Sequence, residues 1–194
     1  MGEENGNEAV RRRGLRRDAA DNRERVLAAA AAAVRREGTA VPMATVAADA
    51  GVGVGTVYRH YPSREALLGA LTHRSFRLVL DAARSAAGLD ASAIEGIRSF
   101  LGRTIEHGAD LVLPLHGGPA TIDEAAVSLR DEVHRTLGSM LERGRRDGTI
   151  RPGVRTADLV VFGALLAQRL PHVEDWETVA HRQADIYVAG LAAV

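Results

Sequence analysis

Residues 51–61 read GVGVGTVYRHY, three glycines at alternate positions followed by Thr, Val, Tyr, Arg and His. Two readings compete for this stretch. A glycine-rich loop that cradles nucleotide phosphates needs either G-x-G-x-x-G behind a strand or a Lys behind its last glycine. Here the spacing is G-x-G-x-G, Thr56 follows Gly55 directly, and the chain contains no Lys. The segment leading in places Met43, Val46, Ala47 and Ala50 at i, i+3, i+4 and i+7, which is the period of a helix and not of a strand. A turn between two short helices meets each of these features.

Working outward from that turn, Gly51 is the left-handed residue that ends the first helix, a conformation a Cβ would resist. Val52 plugs the space between the helices, and Gly53 serves as N-cap of the second, a weaker cap than Ser. Along 54–60, Val57 faces inward while Thr56, Tyr58, Arg59 and His60 carry donors outward. Pro62 halts that helix, and Ser63 caps a long one over 63–88. Upstream, 21–38 predicts a helix opened by an Asp21 cap, with Val26, Leu27, Ala30 and Val34 on one face and a stop at Gly38. Pro42 sits in the first turn of the helix that follows, where its missing N–H costs nothing. Further helices are predicted over 91–107, 121–147, 156–170 and 174–192, with a short one near 109–113. Period-2 alternation is scarce, so the fold class is all-α.

Charge is divided unevenly along the 194 residues. Lys and Arg together match Asp and Glu at 25 each, but between Ala9 and Arg64 eleven Arg face five acids, so that segment carries 11 − 5 = +6 and the remainder −6. A basic head on an acidic body suits a polyanion partner for the head. The absence of Cys excludes disulfides, thiolate metal sites and Cys nucleophiles. No apolar run approaches the ~18 residues of a membrane span, and the polar N-terminus lacks the apolar core of a secretory signal; a cytoplasmic protein is expected. The seven His form no H-x-x-x-H or H-E-x-x-H pair, no G-x-S-x-G elbow occurs, and Glu132 and His134 lie on different helix faces. No enzyme, metal or cofactor is expected.

Residues 21–68, including RERVLAAAAAAVRREGTAVPMATVAADAGVGVGTVYRHYPSREALL, resemble the DNA-binding domain of the TetR family of bacterial transcriptional regulators. The diagnostic part is AGVGVGTVYRHYPSREALL, from the Gly-Val turn to the Ser-Arg-Glu opening the fourth helix. The resemblance implies a three-helix, helix-turn-helix DNA-binding domain over 21–66, a larger helical regulatory and dimerisation domain over 67–194, and a basic arm over 1–20. It puts the helix at 54–60 in the major groove, with Val54, Gly55, Thr56 and Arg59 nearest the base edges and Tyr58 and His60 on phosphates. Arg64 stands where the family usually has Lys, gripping a phosphate, and Thr45 is a backbone contact. Arg16 and Arg17 read equally as an arm on the DNA or as a solvated charge run. Two departures remove phosphate-contacting hydroxyls: Pro42 and Gly53 stand where the family usually places Thr or Ser.

For the second domain the resemblance implies a ligand pocket among the middle helices and dimerisation through the last two. Pocket candidates are Phe100, Leu101, Ile105, Leu113, His116 and Met140, each of which also reads as ordinary core. Interface candidates are Val161, Leu165, Trp176, Val179, Gln183, Ile186 and Gly190, on helices whose alternative reading is a closed monomeric core; dimerisation is the favoured one, and small residues such as Gly163 and Ala164 suit close helix approach. The expected protein is a homodimeric repressor released from its double-stranded DNA operator by a small-molecule effector, with the 63–88 helix as lever. The other reading is a helical ligand-binding or protein-interaction module without sequence-specific DNA binding.

Overall fold

The computed structural model describes residues 21–116, 118–170 and 172–193; Arg16, Arg17 and the side chain of His116 fall outside them. The described residues form α1 (residues 21–37), α2 (Met43–Ala50), α3 (Val54–His60), α4 (Arg64–Ala87), α5 (Ala93–Glu106), α6 (Glu124–Arg146), α7 (Thr156–Ala167) and α8 (Trp176–Leu191), with single 3-10 turns at Gly108–Asp110 and Pro114–His116. No strand occurs among them, only an isolated bridge between Ile150 and Ala192. No helix among the described residues is long and apolar enough to cross a membrane.

Local chemistry sets the helix ends. Gly51 takes φ 64° and ψ 37°, as the turn requires, and Gly53 caps α3 in extended conformation without a side-chain bond. Ser63 accepts from the Ala66 N–H at the start of α4. Ser92 and Glu95 form a reciprocal capping box, and Asp123 accepts from the Ala126 N–H. These two caps explain why α5 and α6 begin at 93 and 124, two or three residues later than the periodicity placed them. Asp21 is already helical, so it is not the cap of α1. The apolar run at the end of α7 stops at Ala167, where Gln168 turns extended, three residues short of the expected end.

Two apolar cores share one rod. The head core gathers Val26, Ala30 and Val34 from α1, Met43, Val46 and Ala47 from α2, Val57 from α3, and Leu67, Leu68 and Leu71 from α4. The body core starts about two and a half turns further along α4, at Leu80 and Ala83, and adds Ile97, Phe100 and Leu101, Leu137, Met140 and Leu141, Leu159 and Leu166, and Ala180, Ala184 and Val188. The head therefore extends past residue 66, through the first two turns of α4. With 24 residues, α4 spans ~36 Å and belongs to both.

Candidate DNA-contact surface and ligand cavity

On α3 only Val57 is buried, at 0% exposure, while Val54 and Tyr58 are 45% and 49% exposed. Gly55 and Arg59 are exposed too, and Thr56 and His60 are half-buried. An exposed Val and Tyr on a seven-residue helix are not what a solvent-facing surface favours. The helix is pinned from below: the Arg23 Nε donates to the Tyr61 hydroxyl at 3.3 Å, and the Arg25 Nη2 donates to the Ala50 carbonyl at 2.7 Å, at the end of α2. Arg59 folds back along α3, its Nη2 donating to Thr56 Oγ1 at 2.9 Å and its Nε to the Gly55 carbonyl at 3.2 Å. Arg64 reaches the Ala40 carbonyl at 3.3 Å, and Thr45 is half-buried on α2.

The head's positive charge is partly spent on the fold. Over residues 21–64 six Arg face four acids, 6 − 4 = +2. Arg36 bridges Asp49 at 2.9 Å and Glu37 at 2.7 Å, and hydrogen bonds to Asp49 first and Glu37 second hold its guanidinium above its ordinary pKa. Most of the +6 lies in residues 9–20, outside the described part.

The body encloses a cavity of about 370 Å³ between α4, α5, α6 and α7. Its wall is apolar: Phe76, Val79, Phe100, Leu111, Leu113, Ile122, Val133 and Val160 among others. Thr104 also faces it, but its hydroxyl donates to the Phe100 carbonyl at 2.8 Å. The charged or titratable side chains on the lining are Arg130 and His134, one turn apart on α6. Burial of this size and polarity is that of a small-molecule site.

A strap joins the cavity to the head. It runs from Gly108 to Leu113, and its last three residues alternate: Leu111 and Leu113 line the cavity, while Val112, at 0% exposure, belongs to the head core. The Val112 N–H donates to Ser75 Oγ at 2.8 Å, fastening the strap to α4. Arg74 ties it again, reaching Asp110 at 3.0 Å and Glu24 of α1 at 2.7 Å. Burial opposes the charge on Arg74, yet its bonds to Asp110 and Glu24 raise its pKa above the ordinary value. Arg35 of α1 donates to the Ala109 carbonyl.

On the far side of the body, Val161, Leu165 and Ile186 are 49%, 58% and 58% exposed. Phe162 and Tyr187 stack between α7 and α8 with ring centroids 3.8 Å apart, and burial raises the Tyr187 pKa. Gln183 and Gly190 share this exposed face, and Val179 is half-buried beside it. Trp176 turns inward, its indole N–H donating to the Leu166 carbonyl at 3.0 Å, so it serves the chain's own core. Gly163 and Ala164 are also inward, lining the cavity rather than the exposed face.

With head, cavity and strap in place, the known relatives can be matched. The family model described as bacterial regulatory proteins, tetR family, matches residues 26–71, and that of the C-terminal domain of SbtR-like transcriptional regulators matches 94–193. The chain belongs to the TetR family. It is 32% identical over 138 residues to the HTH-type transcriptional repressor KstR of Mycobacterium tuberculosis, covering 66% of this chain and 60% of KstR, less than two thirds of that protein. A TetR transcription regulatory protein from Mycobacterium vanbaalenii, solved by crystallography, is 32% identical with a TM-score of 0.63, covering 92% of this chain and 99% of that one. AibR, solved in complex with isovaleryl coenzyme A and operator DNA, has a TM-score of 0.69 at 18% identity, covering 88% and 97%. At that identity AibR shares the fold alone.

Within this TetR-family chain, the residues named from sequence fare unequally. Of the α3 set, Val54, Gly55, Tyr58 and Arg59 are exposed and Thr56 and His60 half-buried. Of the pocket set, Phe100 and Leu113 line the cavity. Leu101, Ile105 and Met140 do not: they fill the body core, Met140 Cε lying against the backbone of Gly96, because α5 and α6 meet there without a gap. Sequence reasoning missed Arg130 and His134. The signal was an Arg and a His at i, i+4 set beside the apolar face Ala126, Val133 and Leu137.

Proposed function

We propose that this protein is a DNA-binding transcriptional repressor, acting as a homodimer in the bacterial cytoplasm and released from its operator by a small molecule held in the body cavity. One observation carries the reading: α3 buries Val57 alone and turns Val54, Tyr58 and Arg59 outward, on a head tied to the cavity by the Gly108–Leu113 strap. In this reading α3 enters the major groove, Val54, Gly55, Thr56 and Arg59 approach the base edges, and Tyr58, His60, Arg64 and Thr45 contact phosphates. The relatives support it, since KstR is a repressor and AibR was solved with isovaleryl coenzyme A and operator DNA. Arg59 leaves Thr56 to reach a base, exchanging one hydrogen bond for another. Two recognition helices need a second copy, because half-sites lie about one DNA turn apart, roughly 34–36 Å; the exposed apolar face of α7 and α8 supplies the contact.

The strap gives the effector its route. A ligand in the cavity presses on Leu111 and Leu113, and Val112 between them moves with the head core. Only unequal affinity for the two arrangements lets the ligand shift the equilibrium. The test is a mobility shift on the DNA flanking the gene, at two salt concentrations. Specific retardation with a steep salt dependence, lost in Tyr58→Ala/Arg64→Ala, supports the reading. Retardation unchanged by that pair overturns the contact assignment, and no retardation of any fragment favours a module without DNA function.

A further inference from the structure

We infer that the effector is an apolar monoanion: a hydrocarbon body inside the cavity and a single carboxylate at its mouth, gripped by Arg130 and His134. This rests on reading the cavity as the effector site, and goes beyond it by naming the chemistry the site selects. Inside the mouth the wall is nearly all apolar, and its one side-chain hydroxyl, Thr104, has its proton committed to the Phe100 carbonyl and so offers a body no donor. A ligand polar along its length would leave its groups unpaired there and lose their hydration without return. Polarity is tolerated at one place, where Arg130 and His134 come to the lining from successive turns of α6.

The donor set also limits the charge. Arg130 is exposed and His134 half-buried, so the pair marks the rim and not the floor. The Arg130 Nε and Nη2 donate to Asp131 Oδ1 at 3.1 and 2.9 Å, which orients the guanidinium and leaves Nη1 for a ligand. The pair with Asp131 is open to solvent on both sides, so its field at the rim is screened. No hydrogen bond or ion pair engages His134 among the described side chains, and it stands ready to donate. Two donors match the two oxygens of one carboxylate. A phosphate, with three acceptor oxygens and close to two charges, would find only these two donors from the protein.

The experiment measures decanoate, decanol and decyltrimethylammonium binding to the full chain by calorimetry, and follows operator release by each. Wild type is expected to bind decanoate about tenfold more tightly than decanol, and to bind the cation most weakly. In Arg130→Gln/His134→Gln the decanoate-to-decanol ratio should fall to near one. Decanol bound as tightly as decanoate by wild type, or a ratio unmoved by the double variant, overturns the anion assignment and leaves the effector cavity standing. Decanoate bound with the expected ratio but without releasing operator overturns the effector reading and leaves the anion site. No binding of any of the three overturns both.

Discussion

Glycine does opposite things at the two ends of this molecule. In the head, a Cβ added at Gly53 or Gly55 would meet no atom within 4 Å. In the body, a Cβ at Gly96 would stand 2.8 Å from Met140 Cε, and one at Gly144 2.5 Å from Ile150 Cδ1. At Gly108 it would press into the Ala167 backbone, within 3.1 Å of the carbonyl carbon. Gly96, Gly108 and Gly144 are small because a neighbour of the same chain fills the space. Gly53 and Gly55 are small with nothing of this chain against them, while Gly51 before them stands close to Arg25 Nη2 and takes the positive φ of the turn. Three body glycines depart from this division: Gly148 and Gly153 are open too but sit in turns at φ 68° and 89°, which leaves Gly190 as the helical exception. It is in the body, on the exposed face of α8, and a Cβ there also meets nothing.

That exception sets the largest effect. If the α7–α8 face receives a second copy, Leu165→Glu with Ile186→Glu places charge on two side chains now 58% exposed and splits the dimer. Losing the second half-site lowers operator affinity by roughly 10²–10⁴-fold, the usual scale of linked binding. Light scattering that gives the monomer mass for the variant and the dimer mass for wild type supports the comparison. A monomeric wild type that binds its operator tightly would break it.

Next in size is a filled glycine. Gly108→Ala forces a Cβ against backbone that cannot rotate away, and overpacking of this kind costs about 1–3 kcal/mol. At this chain length that is a fall of several degrees in Tm. Because Gly108 begins the strap, the same substitution should also change operator affinity with no DNA contact altered. An unchanged Tm would mean that the body's glycines are as free as those of the head.

The open glycine should behave in reverse. Gly55→Ala removes a helix-interior glycine without a clash, so stability stays level or rises by roughly 0.5–1 kcal/mol. Operator affinity should nonetheless fall about tenfold, 1.4 kcal/mol, as the added methyl meets the base edges. Measuring Tm and a binding isotherm on one preparation checks both signs. A lower Tm, or full operator affinity, would remove the distinction between the two kinds of glycine.

The same contrast explains what was legible in the sequence. The head is contiguous: Gly51, Gly53, Val57, Pro62 and Ser63 each set a turn, a cap or an inward face by local chemistry, and the folded α2–α3 unit carries each as read. The cavity is assembled from α4, α5, the strap, α6 and α7. Phe100 and Met140 are both large apolar residues on inward faces, and nothing local says that one meets a gap and the other meets Gly96. Val112, in LVLP, looks like its neighbours Leu111 and Leu113 yet belongs to the other core. That assignment depends on where residues seventy positions away have gone, as Arg35 against Ala109 illustrates. The charge count mixes two kinds of Arg for a related reason: Arg25 and Arg36 count toward a basic head, but one binds the end of α2 and the other binds Asp49 and Glu37.

The smallest effect concerns the seam where head rod and body meet below the cavity. Asp123 caps α6 and also faces His73 of α4, whose Nε2 lies 2.8 Å from Oδ1. The Ala126 N–H first, and His73 second, hold the Asp123 carboxyl below its ordinary value of 3.8. A lowered folded-state pKa stabilises above the unfolded value, and that contribution is lost as pH falls through the folded one. Glu95, lowered chiefly by its bond to Ser92, acts with the same sign. Wild-type Tm should therefore decline below about pH 4, and Asp123→Asn should decline less steeply, because Asn still caps a helix but has no proton to gain. Solvent screens this exposed pair, so the slopes differ modestly and the two curves draw together in acid. Identical slopes would show that the α4–α6 seam is held by Ile122 and Ala126 packing against α4, with no electrostatic part. A slope difference that shrinks in high salt would show charge at work in the seam, from His73 and from the N-terminus of α6 together, since salt screens both.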